Sequence, residues 1–244
     1  MFHHKTFAAL AVSALLTASA PAAIAEDSNR NAIISEGNGA AVFIGYGGDL
    51  SVDLEWRPSK QFDASQMLYQ VQRSDGPMLV SRTRAESFKD RNLRPNTYYT
   101  YNLTVYQSVT KNTVLKGVVT QKTSYKKVGR NSIKVLTWPT MVVNLRATST
   151  TSGALTVTWE PPENASNSEL SYSVLLDGNV MAYGIKDLTY TITGLAPRTP
   201  AFGGTHNLEV DVSNATGPAS KNAKLNGVYV CGGSAACTPG PAFP

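Results

Sequence analysis

Apolar residues recur at every second position in short runs, separated by glycine, proline, asparagine and aspartate, and no long run follows a helical period. Leu50, Val52, Leu54 and Trp56 form one such run, stopped by Pro58. Residues 40–46 predict a strand before it, ended by Gly45, Gly47 and Gly48, whereas residues 26–38 are polar and read as a flexible lead-in. Tyr69, Val71 and Arg73 predict the next strand, with Asp75-Gly76-Pro77 as its turn and a weaker strand at 78–81. A long strand follows within 93–106, carried by Tyr99, Tyr101, Leu103 and Val105. The same order then returns. Leu145 and Ala147 open it, Leu155, Val157 and Trp159 follow, and Leu170, Tyr172, Val174 and Leu176 lead into the turn Asp177-Gly178-Asn179. Tyr190 with Ile192, and Leu208 with Val210 and Val212, complete the second series.

Two motifs recur with the strands. Leu93-x-Pro95-x-Thr97-x-Tyr99 precedes the long strand of the first series, and Trp159-x-Pro161-Pro162 and Leu195-x-Pro197-x-Thr199 stand at matching places in the second. Together they resemble the fibronectin type III family. The resemblance implies an all-β chain of two tandem immunoglobulin-like β-sandwiches, at 39–139 and 140–230, with Trp138-Pro139 at their junction. It makes Trp56 and Trp159 core residues. Tyr99 becomes a corner tyrosine, its ring packed inward and its hydroxyl bonded to backbone a few residues upstream. The second copy departs from the pattern: extra residues including Gly203-Gly204 follow the corner motif, and counting back puts His206 where the corner tyrosine belongs. The first copy departs at 107–132, which is long for the last inter-strand loop and alternates between Val114 and Thr120, predicting an extended hairpin.

The start of the chain reads as an export signal over 1–25: Lys5, an apolar stretch at 7–20, and Ala23-Ile24-Ala25 as the cleavage site. The alanine-rich leader looks bacterial, and the expected destination is extracellular or periplasmic. Cys231 and Cys237 lie close together in a Gly/Ser/Ala-rich tail, 231–244, and predict a local disulfide in an oxidising compartment. Closing so short a loop stabilises by about 2 kcal/mol in the chain-entropy picture, enough to staple the tail but not to hold the fold.

Charge changes the picture most. Only 16% of residues are charged, yet no acidic residue lies between Asp90 and Glu160. Residues 26–140 carry 16 basic and 10 acidic side chains, net +6, while 141–244 carry 5 and 7, net −2. Lys111, Lys116, Lys122, Lys126, Lys127 and Arg130, all within the hairpin insertion, are the candidate polyanion-binding residues. Acidic polysaccharide, lipopolysaccharide, an anionic surface or extracellular DNA would satisfy them, and Tyr106 and Tyr125 offer rings for stacking on sugars or bases. Strand lysines that keep an exposed edge soluble are the bland counterpart.

Enzymatic chemistry finds little footing. Past the leader His206 is the only histidine, and there is no Gly-x-Ser-x-Gly. Asp53 and Glu55 alternate with core residues on one strand and read as a solvated face. Two thiols and one histidine do not make a zinc set, no calcium loop is present, and no cofactor is expected. Asn102, Asn164 and Asn214 each begin an Asn-x-Ser/Thr triplet, a pattern short enough to arise by chance. The expectation is a non-catalytic adhesion, binding or matrix protein whose partner is a polyanionic or carbohydrate surface component, or another protein. A self-assembling subunit held by contact between the unlike-charged domains is the alternative. A periplasmic pilus-assembly chaperone is a lesser one.

Overall fold

The computed structural model describes residues 31–36, 40–149, 153–197 and 204–232. The expected leader at 1–25 and Cys237 lie outside them. The first series supplies eight strands: β1 (Ala32–Glu36), β2 (Ala41–Gly47), β3 (Ser51–Pro58), β4 (Met67–Arg73), β5 (Met78–Thr83), β6 (Ser87–Arg91), β7 (Tyr98–Leu115) and β8 (Val118–Leu136). The second supplies β9 (Val143–Thr148), β10 (Leu155–Glu160), β11 (Ser171–Leu176), β12 (Asn179–Ile185), β13 (Thr189–Ile192), β14 (His206–Asn214), β15 (Gly217–Pro218) and β16 (Ala223–Val228). Two 3₁₀ turns, Ala64–Gln66 and Ala165–Asn167, are the helical residue of the described chain.

Strand order gives the architecture. One sheet runs β1-β2-β3-β6 and faces another in the order β5-β4-β7-β8; in the second unit β13-β10-β9 faces β12-β11-β14, with β15 and β16 both pairing β14. All pairings are antiparallel. Period-two alternation sends one side of every central strand inward, as in β2 and β3, where buried and half-buried residues alternate. Phe43, Trp56 and Tyr69 stack in the first core at centroid separations of 6.2 and 6.0 Å, and Trp159 meets Tyr172 at 5.5 Å in the second. Each aromatic pair adds about 0.5–1.5 kcal/mol beyond simple burial.

Register shows the repeat directly. Tyr69, Val71 and Arg73 face Val105, Leu103 and Tyr101, and Tyr172, Val174 and Leu176 face Val212, Val210 and Leu208. Arg73 and Tyr101 thus stand where the second unit has two leucines. Arg73 Nη1 bonds Asp90 Oδ2 at 2.8 Å, and the Tyr101 hydroxyl donates to the same oxygen at 3.0 Å. The three side chains satisfy one another inside the first sandwich, as a buried polar group requires.

Three local expectations change. Residues 32–36, read as part of a flexible segment, form β1, because Ile33 packs on the first core and the strand completes the edge beside β2. Leu50 does not extend the β3 alternation; it is 45% exposed, and its carbonyl accepts from Leu93 N–H. Gly45 does not end β2 but sits inside it, since a Cβ there would lie 2.7 Å from Ile133 Cδ1 and still closer to Val135. Strand β6, SFKDR, goes unnoticed in the sequence because its composition is polar; pairing to β3 makes it a strand.

The two units meet through side-chain amides. Asn96, fully buried, donates from Nδ2 to Asn164 O at 2.7 Å, and its Oδ1 accepts from Asn214 Nδ2 at 2.9 Å and from the Ser168 hydroxyl. Asn164 Nδ2 returns a bond to Pro95 O at 3.1 Å, and Asn214 Nδ2 also reaches Thr137 O at 2.8 Å. Trp138, expected at the junction, donates from its backbone N–H to Gly48 O and from Nε1 to Thr216 O at 3.1 Å. Asn164 and Asn214, two of the three Asn-x-Ser/Thr sites, thereby spend their amides inside the joint.

Candidate anion-binding hairpin

Strands β7 and β8 stay paired from Tyr98↔Leu136 to Leu115↔Val118, while β4 accompanies β7 only as far as Met67↔Gln107. Beyond that rung the pair is a two-stranded ribbon projecting from the sheet, the extension that residues 107–132 foreshadow. Lys116 and Gly117 turn it, with φ of 51° and 79°. Positive φ at both central residues is the backbone of a type I′ turn, whose twist matches the flanking strands. Glycine accepts that conformation freely; Lys116 takes it at some cost.

One bulge sets which cations share a face. Val105 pairs with Gly129 but Tyr106 pairs with Lys127, so Val128 is extra and packs partly on the first core. Past the bulge, Tyr106↔Lys127 and Ser108↔Tyr125 lie on one face, next to the outward pair Thr104↔Arg130. Gln107↔Lys126 and Lys111↔Lys122 lie on the other. The six candidate residues therefore do not make one patch: Lys127 and Arg130 hold one face, Lys111, Lys122 and Lys126 the opposite one, and Lys116 the tip.

Arg82 of β5 joins the first of these faces. Its guanidinium lies 5.1 Å from the Tyr106 centroid and 5.5 Å from that of Tyr125. Lys134 Nζ lies 4.3 Å from the centroid of Tyr98 on the same sheet, and Arg130 Nη2 is 3.4 Å from Asn102 Oδ1. Tyr106 and Tyr125, the rings offered for stacking on sugars or bases, thus each carry a cation over the ring. Arg82 escapes sequence reading because it precedes the acid-free stretch; only the order β5-β4-β7-β8 brings it over. None of the six candidate cations makes an ion pair among the described residues. Lys111 and Lys122 stand directly opposite each other, a like-charge rung that destabilises a hairpin left to itself.

The other candidate residues lie within the two sandwiches, away from the ribbon. The Tyr99 hydroxyl accepts from Arg94 N–H at 2.9 Å, tying its corner to backbone five residues upstream. Arg73 lies over the same ring at 5.3 Å. Trp56 is fully buried and donates Nε1 to Ala85 O at 2.8 Å; Trp159 is buried with no partner for Nε1 among the described residues. His206 opens β14 in the register position of Tyr99, but its partner differs: Nδ1 lies 2.7 Å from Asp177 Oδ2, and Asp177 Oδ1 accepts from Asn207 N–H. That carboxylate ties the start of β14 to the turn after β11. Cys231 is buried, with Sγ 2.9 Å from Ser149 O. Asp53, expected on a solvated face, is in an ion pair with Lys89 at 3.0 Å. Among the described residues no cluster of three metal-ligating side chains occurs, and no helix is long and apolar enough to cross a membrane.

A four-stranded antiparallel sheet facing another in the first unit, and a three-stranded sheet facing a five-stranded one in the second, define a chain of tandem fibronectin type III-like sandwiches. No family model matches the sequence, and no curated protein does. Among solved structures, the chain is similar to the central fibronectin-III array of RIM-binding protein, at 19% identity over 76% of this chain and 65% of that one, with a TM-score of 0.29. A two-domain fibronectin type III segment of chicken tenascin aligns at 17% identity over 81% and 98% of the two chains, TM-score 0.34. The FN1–FN3 domains of chicken CNTN1 align at 14% identity over 83% and 66%, TM-score 0.32. The chain spans just under two thirds of the first and third of these.

Proposed function

We propose that this protein is an exported, non-catalytic binding or adhesion protein that engages a polyanionic or carbohydrate surface component through the β7–β8 hairpin and the adjoining Arg82 face. The supporting observation is the opposed Lys111–Lys122 rung on a projecting ribbon, where no ion pair among the described residues offsets its charge. An anion seated across the ribbon converts that repulsion into attraction. Both faces carry cations, which suits an extended polyanion better than a small acid held in a cleft. Export rests on the leader residues and the cysteine pair.

The test is retention on heparin resin. The quadruple variant Lys122→Glu/Lys126→Glu/Lys127→Glu/Arg130→Glu is expected to pass through at salt that holds the parent chain. Equal retention of the two would overturn the reading.

A second reading has its own observation. Beyond Gln107 neither edge of the ribbon is covered by a third strand among the described residues, so a neighbouring copy could add a strand there. Growth of assemblies with concentration, measured by light scattering and suppressed by salt, would support a structural subunit; a monomer throughout would exclude it.

A further inference from the structure

Four aliphatic side chains occupy the far end of the ribbon: Val114, Leu115, Val118 and Val119 are 65, 69, 65 and 64% exposed. Leu115↔Val118 lies on one face and Val114↔Val119 on the other, so the end is apolar on both sides. A strand that protein covers on one side only shows one apolar face and one polar one. The rungs immediately behind, Thr113↔Thr120 and Asn112↔Gln121, are polar on both faces, and Lys111↔Lys122 comes next. The layers therefore run along the ribbon axis: apolar tip, polar neck, cationic collar.

That order matches the depth profile of a bilayer surface. Two apolar rungs and the turn span about 5–10 Å, the depth to which interfacial elements enter the headgroup and acyl boundary. Lys111 and Lys122 follow four rungs behind Leu115 and Val118, about 14 Å back along the axis. Their stems bring the ammonium groups within reach of the lipid phosphates. Lys116, at the tip, has a four-carbon stem that can lie along the apolar end while its ammonium turns back to the headgroups. A second copy of the hairpin is a poorer occupant, because tip-to-tip contact would set Lys116, in the turn, against its own equivalent and leave the collar of Lys111 and Lys122 without a counter-charge.

We propose that this end of the hairpin inserts into the interface of an anionic phospholipid bilayer, with Lys111, Lys116 and Lys122 on the phosphates. It rests on the polyanion reading above and names the surface that the apolar tip adds to it.

The experiment uses the chain from Glu26 onward, with vesicles of phosphatidylcholine alone or mixed with phosphatidylglycerol, and heparin resin run in parallel. The parent chain is expected to float with the mixed vesicles and only weakly with the neutral ones. Val114→Ser/Leu115→Ser/Val118→Ser/Val119→Ser is expected to lose about tenfold or more of that partition, the change expected from losing burial of even one aliphatic side chain. It should still elute from heparin at the parent's salt. If the serine variant floats like the parent, insertion is overturned while the polyanion reading stands. If the parent binds neither heparin nor vesicles, both readings fail. In Leu115→Trp, a blue shift and quenching by brominated lipid would place the tip in the acyl boundary; unchanged emission on adding mixed vesicles would overturn insertion. Tip-dependent self-association without lipid, in a parent that does not float, would assign the apolar end to a second copy instead.

Discussion

Asn214 Nδ2 donates to Asn96 Oδ1 at 2.9 Å, and the bond joins one sandwich to the other. Asn96 also holds the left-handed conformation, φ 44°, that asparagine tolerates better than most residues. Replacing Asn96 with alanine removes the acceptor for both Asn214 and Ser168 and the donor to Asn164 O. Each buried group left without a partner costs about 1–3 kcal/mol. The expected outcome is a loss of coupling: one calorimetric transition in the parent becomes two in Asn96→Ala, and small-angle scattering shows a broader distribution of interdomain distances. An unchanged single transition would show that the joint does not depend on this amide.

Tyr69 and Tyr101 are both buried tyrosines, yet their hydroxyls differ. That of Tyr101 bonds Asp90, while that of Tyr69 has no partner among the described residues. Tyr101→Phe is expected to cost about 1–2 kcal/mol in urea unfolding, and Tyr69→Phe close to nothing at neutral pH.

Burial, with a smaller push from the Glu86 charge, raises the Tyr69 phenol from 10.0 to about 12. Burial also raises Tyr101 and Tyr172 above their ordinary value. The native state therefore keeps protons that the unfolded chain sheds. Their contribution is complete below pH 10 and is lost as pH rises through the folded values. Unfolding free energy should fall from pH 10 toward 12, with a shallower slope in Tyr69→Phe; a slope unchanged by that substitution would remove Tyr69 from the account.

Asp211 has the same sign of shift from a different group. Burial raises its carboxyl above 3.8, with Glu209 adding repulsion, and its Oδ1 has no partner among the described residues. Stability from the protonated form is present below that pH and lost above it. Asp211→Asn is expected to raise Tm at neutral pH and to leave it unchanged in acid; a lower Tm at neutral pH would mean that the carboxylate is satisfied.

The two faces of the hairpin can be separated. Lys127→Glu/Arg130→Glu is expected to weaken heparin retention more than Lys111→Glu/Lys122→Glu, because Arg82 and Lys134 extend the first face. Equal losses would mean that net charge, not the arrangement of faces, governs binding.

The alternation in Val52, Leu54 and Trp56 and in Val210 and Val212 was enough to place the central strands, because a period of two leaves one buried side whatever surrounds it. Spacing also made the Tyr99 corner, the His206 substitution and the long hairpin legible. Edge elements were less so: β1 and β6 are polar or short, and hydrogen bonding to a neighbour makes them strands. The hairpin's faces were set by the single extra residue Val128, since one inserted position exchanges the sides of everything beyond it. Arg82 entered the cationic face only through sheet order, and Asn96, Asn164 and Asn214 met only when the two units packed. Local pattern determines which residues turn inward along a strand; register and the meeting of distant segments decide which polar groups finally share a site.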